Sequence, residues 1–344
     1  MAQCCSDYGS RRAICCKQRH SCFAKYQKLV TVRWGFIGAG YVASRAMAPA
    51  VHATPNASLY AVASRDQDRS ATLEPQVVHR FYQDLIDDPL VDAVYISLTN
   101  AQHKEWVLAA LNAGKHVLCE KPLAMNASEV GTMLDAATRN KCLLVEAVWT
   151  RWQSRMQRMA QIVKSGELGE VTGVSSAFTF QGDLTNNYRL EPSLGGGALL
   201  DVGVYQAHLW LMLLNEEVSF LVESVERTMS ATGVDLTTHA QLQLNSGIAA
   251  QLLSSFDLPA QQRIEVTGTT AAMRTGEGEA FTLWKQPSTL LIGETVEHFE
   301  ADDAFALMVH GVSAAIEAEE STIFPAASSL RAAEITDAIA RFNN

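Results

Sequence analysis

A lysine at the mouth of an apolar strand can hold and polarise an oxygen, and Lys121 stands in such a place. Lys115-His116-Val117-Leu118-Cys119 reads as a short strand entered from a helix ending at Gly114, and Pro122 cannot extend a sheet ladder. Glu120 and Lys121 are therefore predicted at the carboxyl edge of the strand, where open parallel sheets bind ligands. Desolvation or a nearby cation there lowers an amine's pKa toward the range in which it moves protons at neutral pH. Taken alone, a strand-end lysine paired with a carboxylate accounts for the same residues. A second group is Asp201, Tyr205 and His208, spaced i, i+4 and i+7 on a helix predicted over residues 198–214, so that all three share one face. Packing and dipole capping would explain them equally well. The preceding Gly195-Gly196-Gly197, however, permits close backbone approach where these side chains begin.

A third group points to a dinucleotide. Gly38-Ala39-Gly40-Tyr41-Val42-Ala43 is G-x-G-x-x-A, set between the β-forming run Val32–Ile37 and a helical segment from Ser44 to Ala53. Gly38 would allow the tight turn, Gly40 the approach of a pyrophosphate, and Ala43 close packing of helix on strand. The amides opening the helix would face the phosphates with the positive end of its dipole. The next strand, Ser58 to Ala63, ends in Ser64-Arg65-Asp66. An acid at this strand end suits the ribose hydroxyls of NAD(H), whereas serine and arginine suit a 2′-phosphate. NADP(H) is thus expected over NAD(H), with Asp66 as a competing influence. A run apolar on both faces, Val91 to Leu98, ends at Thr99-Asn100, and Asn100 is placed to cap the helix carrying His103 and Trp106. His103 is either an ordinary helix histidine or, beside Lys121, a lining residue on the nicotinamide side.

These residues need two frameworks. The chain of 344 residues exceeds what one core usually supports, and 48% hydrophobic with 19% charged residues describes a globular protein. Strands alternating with helices over residues 31–150 predict a doubly wound parallel sheet, with a brief strand near Arg80–Tyr82, a short or irregular crossover from Asp66 to Pro75, a helix from Ala127 to Arg139 and a strand from Cys142 to Val148. From residue 151 the pattern changes. A helix to Lys164, a break at Gly166-Glu167-Leu168-Gly169 and a strand from Val171 to Phe180 lead into a polar loop over 182–192. Beyond residue 239, period-two alternation, as in Ala240, Leu242 and Leu244 against His239, Gln241 and Gln243, predicts a largely antiparallel sheet with one face on a core. Strands near Phe281–Trp284 and Thr289–Ile292 and two closing helices complete an α+β domain over 151–344. The net charge of -10 argues against nucleic acid or an anionic membrane as main partner, and no apolar run is read as a membrane span. Five of the seven cysteines, Cys4, Cys5, Cys15, Cys16 and Cys22, fall in the first thirty residues, which carry six Lys or Arg against one acid. That stretch reads as a disordered extension or a start codon assigned too far upstream. The two remaining cysteines read as reduced thiols, which places the body in a cytoplasmic setting.

Together the glycine loop 38–43, Glu120-Lys121-Pro122, Gly166-Glu167-Leu168-Gly169 and the run from Gly195 through Asp201 to Tyr205 resemble the glucose-fructose oxidoreductase and inositol dehydrogenase family, Gfo/Idh/MocA, over residues 31–344. Glu146-Ala147-Val148-Trp149-Thr150-Arg151 looks like the dihydrodiol and xylose dehydrogenase branch, while Asn187-Tyr188-Arg189 is similar to sugar-nucleotide ketoreductases. The resemblance implies hydride transfer between a nicotinamide and a secondary alcohol or carbonyl of a sugar, cyclic polyol or dihydrodiol, without a metal. Lys121 would bind the reacting oxygen. Tyr205, standing where inositol dehydrogenases have histidine, would be the acid/base, with Lys121 lowering its pKa, Asp201 beside them and His208 packing. Trp149, Arg151, Phe180 and Tyr188 are candidates for the substrate wall, and a homodimer or tetramer through the second sheet is expected. A sensor that kept the fold and lost turnover is the alternative.

Overall fold

The computed structural model describes residues 31–214, 217–245, 247–318 and 324–342. The readings made on residues 1–30 lie outside them. In the first half six strands, β1 (Val32–Ile37), β2 (Ala57–Ala63), β3 (Val77–His79), β4 (Ala93–Ile96), β5 (His116–Cys119) and β6 (Leu144–Glu146), form a parallel sheet in the order β3-β2-β1-β4-β5-β6. The order of succession reverses on the two sides of β1, so the loops leaving the carboxyl ends of the paired β1 and β4 run to opposite sides and leave a crevice. The helices between them are α1 (Ala48–Ala53), α2 (Gln67–Ala71), α3 (Tyr82–Asp87), α4 (Asn100–Asn112) and α5 (Ala127–Asn140). β1 and β4 are almost wholly buried, as strands covered on both faces must be.

The crossover after Asp66 is the short one of the two forms expected: the Asp66 carboxylate accepts from the Arg69 amide at 2.9 Å and caps the five-residue α2. One local expectation is corrected. The strand near residue 80 lies earlier, at Val77–His79, and Tyr82 instead opens α3.

The second half begins with a tight turn at Trp149–Trp152 and α6 (Ser154–Ser165), followed by β7 (Val171–Thr179). After the loop come a wide π turn at Leu199–Gly203 and α7 (Val204–Leu214). Then follow β8 (Phe220–Met229), β9 (Asp235–Leu244), β10 (Ile248–Ser255), β11 (Gln261–Gly268), β12 (Ala272–Thr275), β13 (Ser288–Ile292) and β14 (Thr295–Phe299). They make an eight-stranded sheet in the order β14-β13-β12-β11-β7-β10-β9-β8, antiparallel throughout except for the β7–β10 pair. Residues 281–284 form a turn and not the strand read from their aromatics; Phe281 is buried against Phe178, whose ring it stacks on at 5.2 Å.

The last two helices, α8 (Ala304–Ala318) and α9 (Ala327–Arg341), return to the first half. Trp34 of β1 donates its indole N–H to Ser313 on α8 at 3.1 Å, and α9 packs on α5. A parallel sheet needs both faces covered, and α8 supplies part of one cover, so one hydrophobic core runs from β1 through α7 to β9 and β10. The helical stretch Pro192–Leu214 has the length, 23 residues, and the mean hydropathy, 1.3, of a membrane span, which the sequence reading did not register. It is 83% buried within the fold, so its apolar surface is occupied by this core.

Candidate active site

The loops at the carboxyl ends of β1, β2, β4 and β5 converge on a cleft of about 790 Å³. It is lined by Gly38, Ala39, Gly40, Tyr41 and Val42 after β1, Ser64, Arg65, Asp66 and Arg69 after β2, Thr99 and Asn100 after β4, and Glu120 and Lys121 after β5. The second half closes it with Phe180, Tyr188 and Arg189. This is the size range of small-molecule sites, at the position where strand order reverses.

The glycine loop fits a dinucleotide. Gly38 has φ +99°, and a Cβ there would lie 2.4 Å from the Ser97 carbonyl oxygen, so only glycine allows the turn beside β4. At Gly40 a Cβ would meet no atom within 4 Å, which leaves its backbone open toward the cleft. At the β2 end, Asp66 spends one carboxylate oxygen on capping α2, and its other lies 3.5 Å from the Arg69 guanidinium. The two cations Arg65 and Arg69 line this end of the cleft, and Arg69 is a residue the sequence reading passed over.

Lys121 is paired with a carboxylate, as the simpler of the two readings of its strand end had it. Its Nζ donates to the Asp201 carbonyl oxygen at 2.7 Å and to Asp201 Oδ1 at 2.9 Å. Burial disfavours its charge, but Asp201 and the neighbouring phenols outweigh that and raise its pKa above the ordinary lysine value. The lysine is therefore a fixed ammonium, and the expectation of a lowered pKa is overturned. Asp201 is itself shared: Arg189 Nε donates to its Oδ2 at 2.6 Å. Despite burial, the two cations hold the Asp201 carboxyl below the usual range.

Tyr205 lies beneath this ion group, 8% exposed, with Lys121 Nζ 4.9 Å from its ring centroid. Phe178 and Phe281 flank the ring at 6.0 and 6.2 Å between centroids. Desolvation among these aromatics dominates, and though Lys121 opposes it the phenol is pushed up to about 12. The net lowering expected from Lys121 is thus reversed by burial.

The three glycines before α7 serve the protein's own packing. Gly195 has φ +81°, and a Cβ there would press on Met125 Sδ at 2.4 Å and Asn100 Cβ at 2.6 Å. At Gly196 it would lie 2.5 Å from the Arg189 carbonyl oxygen. The run lets the loop over 182–192 fold onto the helix start, which carries Arg189 to Asp201. Asn100 is not a cap, since its side chain donates to the Gly195 carbonyl at 2.8 Å.

Five expected site residues are not among those lining the cleft: Asp201 and Tyr205, which lie buried behind Lys121 as described above, and His103, Trp149 and Arg151. His103 is wholly buried, with its ring nitrogens 2.9 Å from the Pro122 carbonyl and 3.2 Å from that of Leu98, and burial lowers its pKa. It braces the strand end from behind and does not line the cleft. Trp149 is buried behind Tyr205, donating its indole N–H to the phenol oxygen at 3.0 Å. Arg151 is buried under Phe324, its guanidinium 3.9 Å from that ring's centroid. Neither forms part of the cleft wall, because the turn at 149–152 points both side chains into the core joining the two halves. Phe180 and Tyr188 do line it.

Glu120, expected at the ligand-binding end of its strand, does line the cleft, whereas the buried carboxylate of Glu146 has no role in the sequence reading. Glu120 accepts from the Tyr95 hydroxyl at 2.8 Å, and burial raises its pKa. Glu146 pairs with His208 at 3.0 Å and accepts from the Leu123 amide at 3.0 Å, so His208 ties α7 to β6 and is more than packing. A charged residue at the end of a buried strand was the available signal. No cluster of potential metal ligands occurs among the described residues.

A Rossmann sheet with this glycine loop, joined to an open sheet that closes the cleft, defines a nucleotide-dependent oxidoreductase. Residues 32–148 match the family model described as the oxidoreductase family with an NAD-binding Rossmann fold, and residues 156–274 match its C-terminal domain model. The chain belongs to the Gfo/Idh/MocA family. It is 32% identical over 301 residues to a D-xylose 1-dehydrogenase (NADP(+)) of Haloferax volcanii, covering 84% of this chain and 90% of that one. It is 30% identical over 275 residues to the trans-1,2-dihydrobenzene-1,2-diol dehydrogenase of Mus musculus, covering 78% and 80%. A 3-ketoreductase from Actinomadura kijaniata, solved with NADP and TDP-benzene, superposes with a TM-score of 0.82 at 28% identity, covering 90% of this chain and 97% of that one.

Proposed function

We propose that this protein is an NADP(H)-dependent dehydrogenase or reductase acting on a secondary alcohol or carbonyl of a sugar, cyclic polyol or trans-dihydrodiol. The observation that carries the reading is the position of Lys121: an ammonium held by Asp201 at the end of β5, over the Tyr205 ring, on the wall of the same cleft as the glycine loop. Relatives named for xylose and for a dihydrodiol support the substrate range.

In this reading the glycine-loop amides hold the pyrophosphate, and Arg65 and Arg69 hold the 2′-phosphate. The bound nicotinamide supplies or accepts the hydride. Two of the three Lys121 protons are committed to Asp201, which leaves the third to hydrogen-bond the substrate oxygen. Tyr205, protonated at neutral pH, donates its proton to the developing alkoxide, and the Lys121 charge stabilises the phenolate that results. In the oxidative direction the phenolate must be present first, so that rate climbs as pH rises into the alkaline range. Phe180 and Tyr188 offer an apolar wall, and Arg189 a donor, to the rest of the substrate. Copies of the chain are proposed to associate as a homodimer or tetramer through the open face of the eight-stranded sheet, which carries His239, Gln241 and Gln243. A reducing, cytosol-like compartment belongs to the same proposal, consistent with the free Cys119 and Cys142.

The test is a panel of aldoses, inositols and dihydrodiols with NADP⁺, and their ketones with NADPH, followed at the absorbance of the reduced nicotinamide. Lys121→Met and Tyr205→Phe should each keep NADPH affinity and lose about a hundredfold or more in turnover. Near-normal turnover in both would overturn the assignment. NADPH binding with no turnover across the panel would favour a dinucleotide sensor.

A further inference from the structure

Tyr205 sits in an enclosed place, and the details of that enclosure fix more than its packing. Its hydroxyl oxygen receives a hydrogen bond from Trp149 Nε1 at 3.0 Å. An indole nitrogen can only donate, so the phenol must act as acceptor along that direction. The phenolic proton then has to point elsewhere. Trp149 is itself immobile: it is buried, its ring stacks on Phe305 at 5.6 Å and 23°, and it meets Tyr205 edge-on at 6.3 Å and 70°. Trp284 in turn meets Phe305 edge-on at 5.4 Å and 87°. The indole is therefore braced by two aromatic layers and presents one polar atom, aimed at one oxygen.

We propose that Trp149 is a positioning residue for the reaction, whose indole N–H fixes the Tyr205 hydroxyl so that its proton is directed away from the core. The proposal rests on the reading of Tyr205 as acid/base given above. The same bond becomes stronger when the oxygen is charged, because hydrogen bonds to ions exceed those to neutral groups. Trp149 and Lys121 thus stabilise the phenolate from two sides, the indole at the oxygen and the ammonium over the ring. Glu120 and Asp201 oppose it electrostatically, and burial opposes it most. Without the indole donor the phenolate would rely on Lys121 alone.

The test replaces the N–H without altering shape. A chain carrying the benzothienyl analogue of tryptophan at position 149, with sulfur in place of the N–H, keeps the bicyclic ring, while Trp149→Phe is the simpler variant. With the most active member of the substrate panel, the alkaline limb of the oxidation rate should move up by about one pH unit in both, with cofactor affinity unchanged. A structural role alone would lower the rate at every pH and leave the limb in place. Independently of any substrate, the ¹⁵N-indole resonance of Trp149, identified by its loss in Trp149→Phe, should shift when Tyr205→Phe removes the acceptor. An unmoved limb together with an unmoved resonance overturns the proposal. If Tyr205→Phe is inactive and the Trp149 analogue behaves as wild type, only the positioning role falls. If Tyr205→Phe turns over normally, the acid/base assignment beneath it falls too.

Discussion

Replacing Asp201 by asparagine keeps its size and removes the one charge that two cations share. In the folded protein the Asp201 side chain is 7% exposed and that of Lys121 is 13% exposed, so the lysine would be left charged in a place that hydrates it poorly. Breaking a buried pair from one side costs about 3–5 kcal/mol. Arg189, at 28% exposed, can turn to solvent and recover hydration, and asparagine still offers an acceptor to Lys121, so a loss of about 2–3 kcal/mol is expected. Adding Lys121→Met removes the stranded ammonium. The double variant should therefore be more stable than Asp201→Asn alone, with a coupling of about 1–3 kcal/mol. Urea denaturation of wild type, both single variants and the double variant, with the transition slope checked in each, measures this directly. A coupling below about 0.5 kcal/mol, or an asparagine variant as stable as wild type, would refute the claim that Lys121 depends on Asp201 for its charge.

At the β2 end of the cleft, Arg65→Ala and Arg69→Ala should each weaken NADPH binding by about tenfold or more and leave NADH nearly unchanged, measured by fluorescence titration; equal losses would mean that Asp66 sets the preference. Gly196→Ala would place a methyl 2.5 Å from the Arg189 carbonyl oxygen and 2.9 Å from that of Tyr188. It should push the loop off the helix start and lower kcat/KM by about a hundredfold, while NADPH affinity stays, because the glycine loop is untouched. The carboxyls of Asp201 and Glu146 are both held below their ordinary pKa despite burial, by Lys121 with Arg189 and by His208 respectively. They bind protons more weakly folded than unfolded, so their stabilisation is full above the ordinary carboxylate range and is lost as pH falls below it through their depressed folded values. Glu120, raised by burial, works in the opposite sense. The denaturation midpoint of wild type should thus drop on acidification below pH about 4, and Glu146→Gln should flatten that drop. An identical pH dependence in the variant would remove Glu146 from the account.

The elements that depend on local chemistry were legible in the residues. An apolar run followed by G-x-G-x-x-A dictates strand, tight turn and helix, because Gly38 alone tolerates the positive φ beside Ser97. Continuous apolar strands between helices require a parallel sheet covered on both faces, and period-two alternation from Ala240 to Leu244 requires a half-covered one. Pro122, which cannot extend a ladder, sets Lys121 at the carboxyl end of its strand. What the sequence did not contain was the identity of each partner. Whether Asp66 faces a ribose or caps a helix depends on where the next amides point, and α2 was too short and polar to be read. The pKa directions of Lys121 and Tyr205 are illegible in the sequence for the same kind of reason. Each direction is set by burial against paired charge, a balance that exists only once Asp201, 80 positions from Lys121, and Arg189 and the aromatic layer are brought together. Trp149 and Arg151 show it most plainly: their types suit a substrate wall, but the turn that carries them faces the core between the two halves, and only packing decides which way a turn faces.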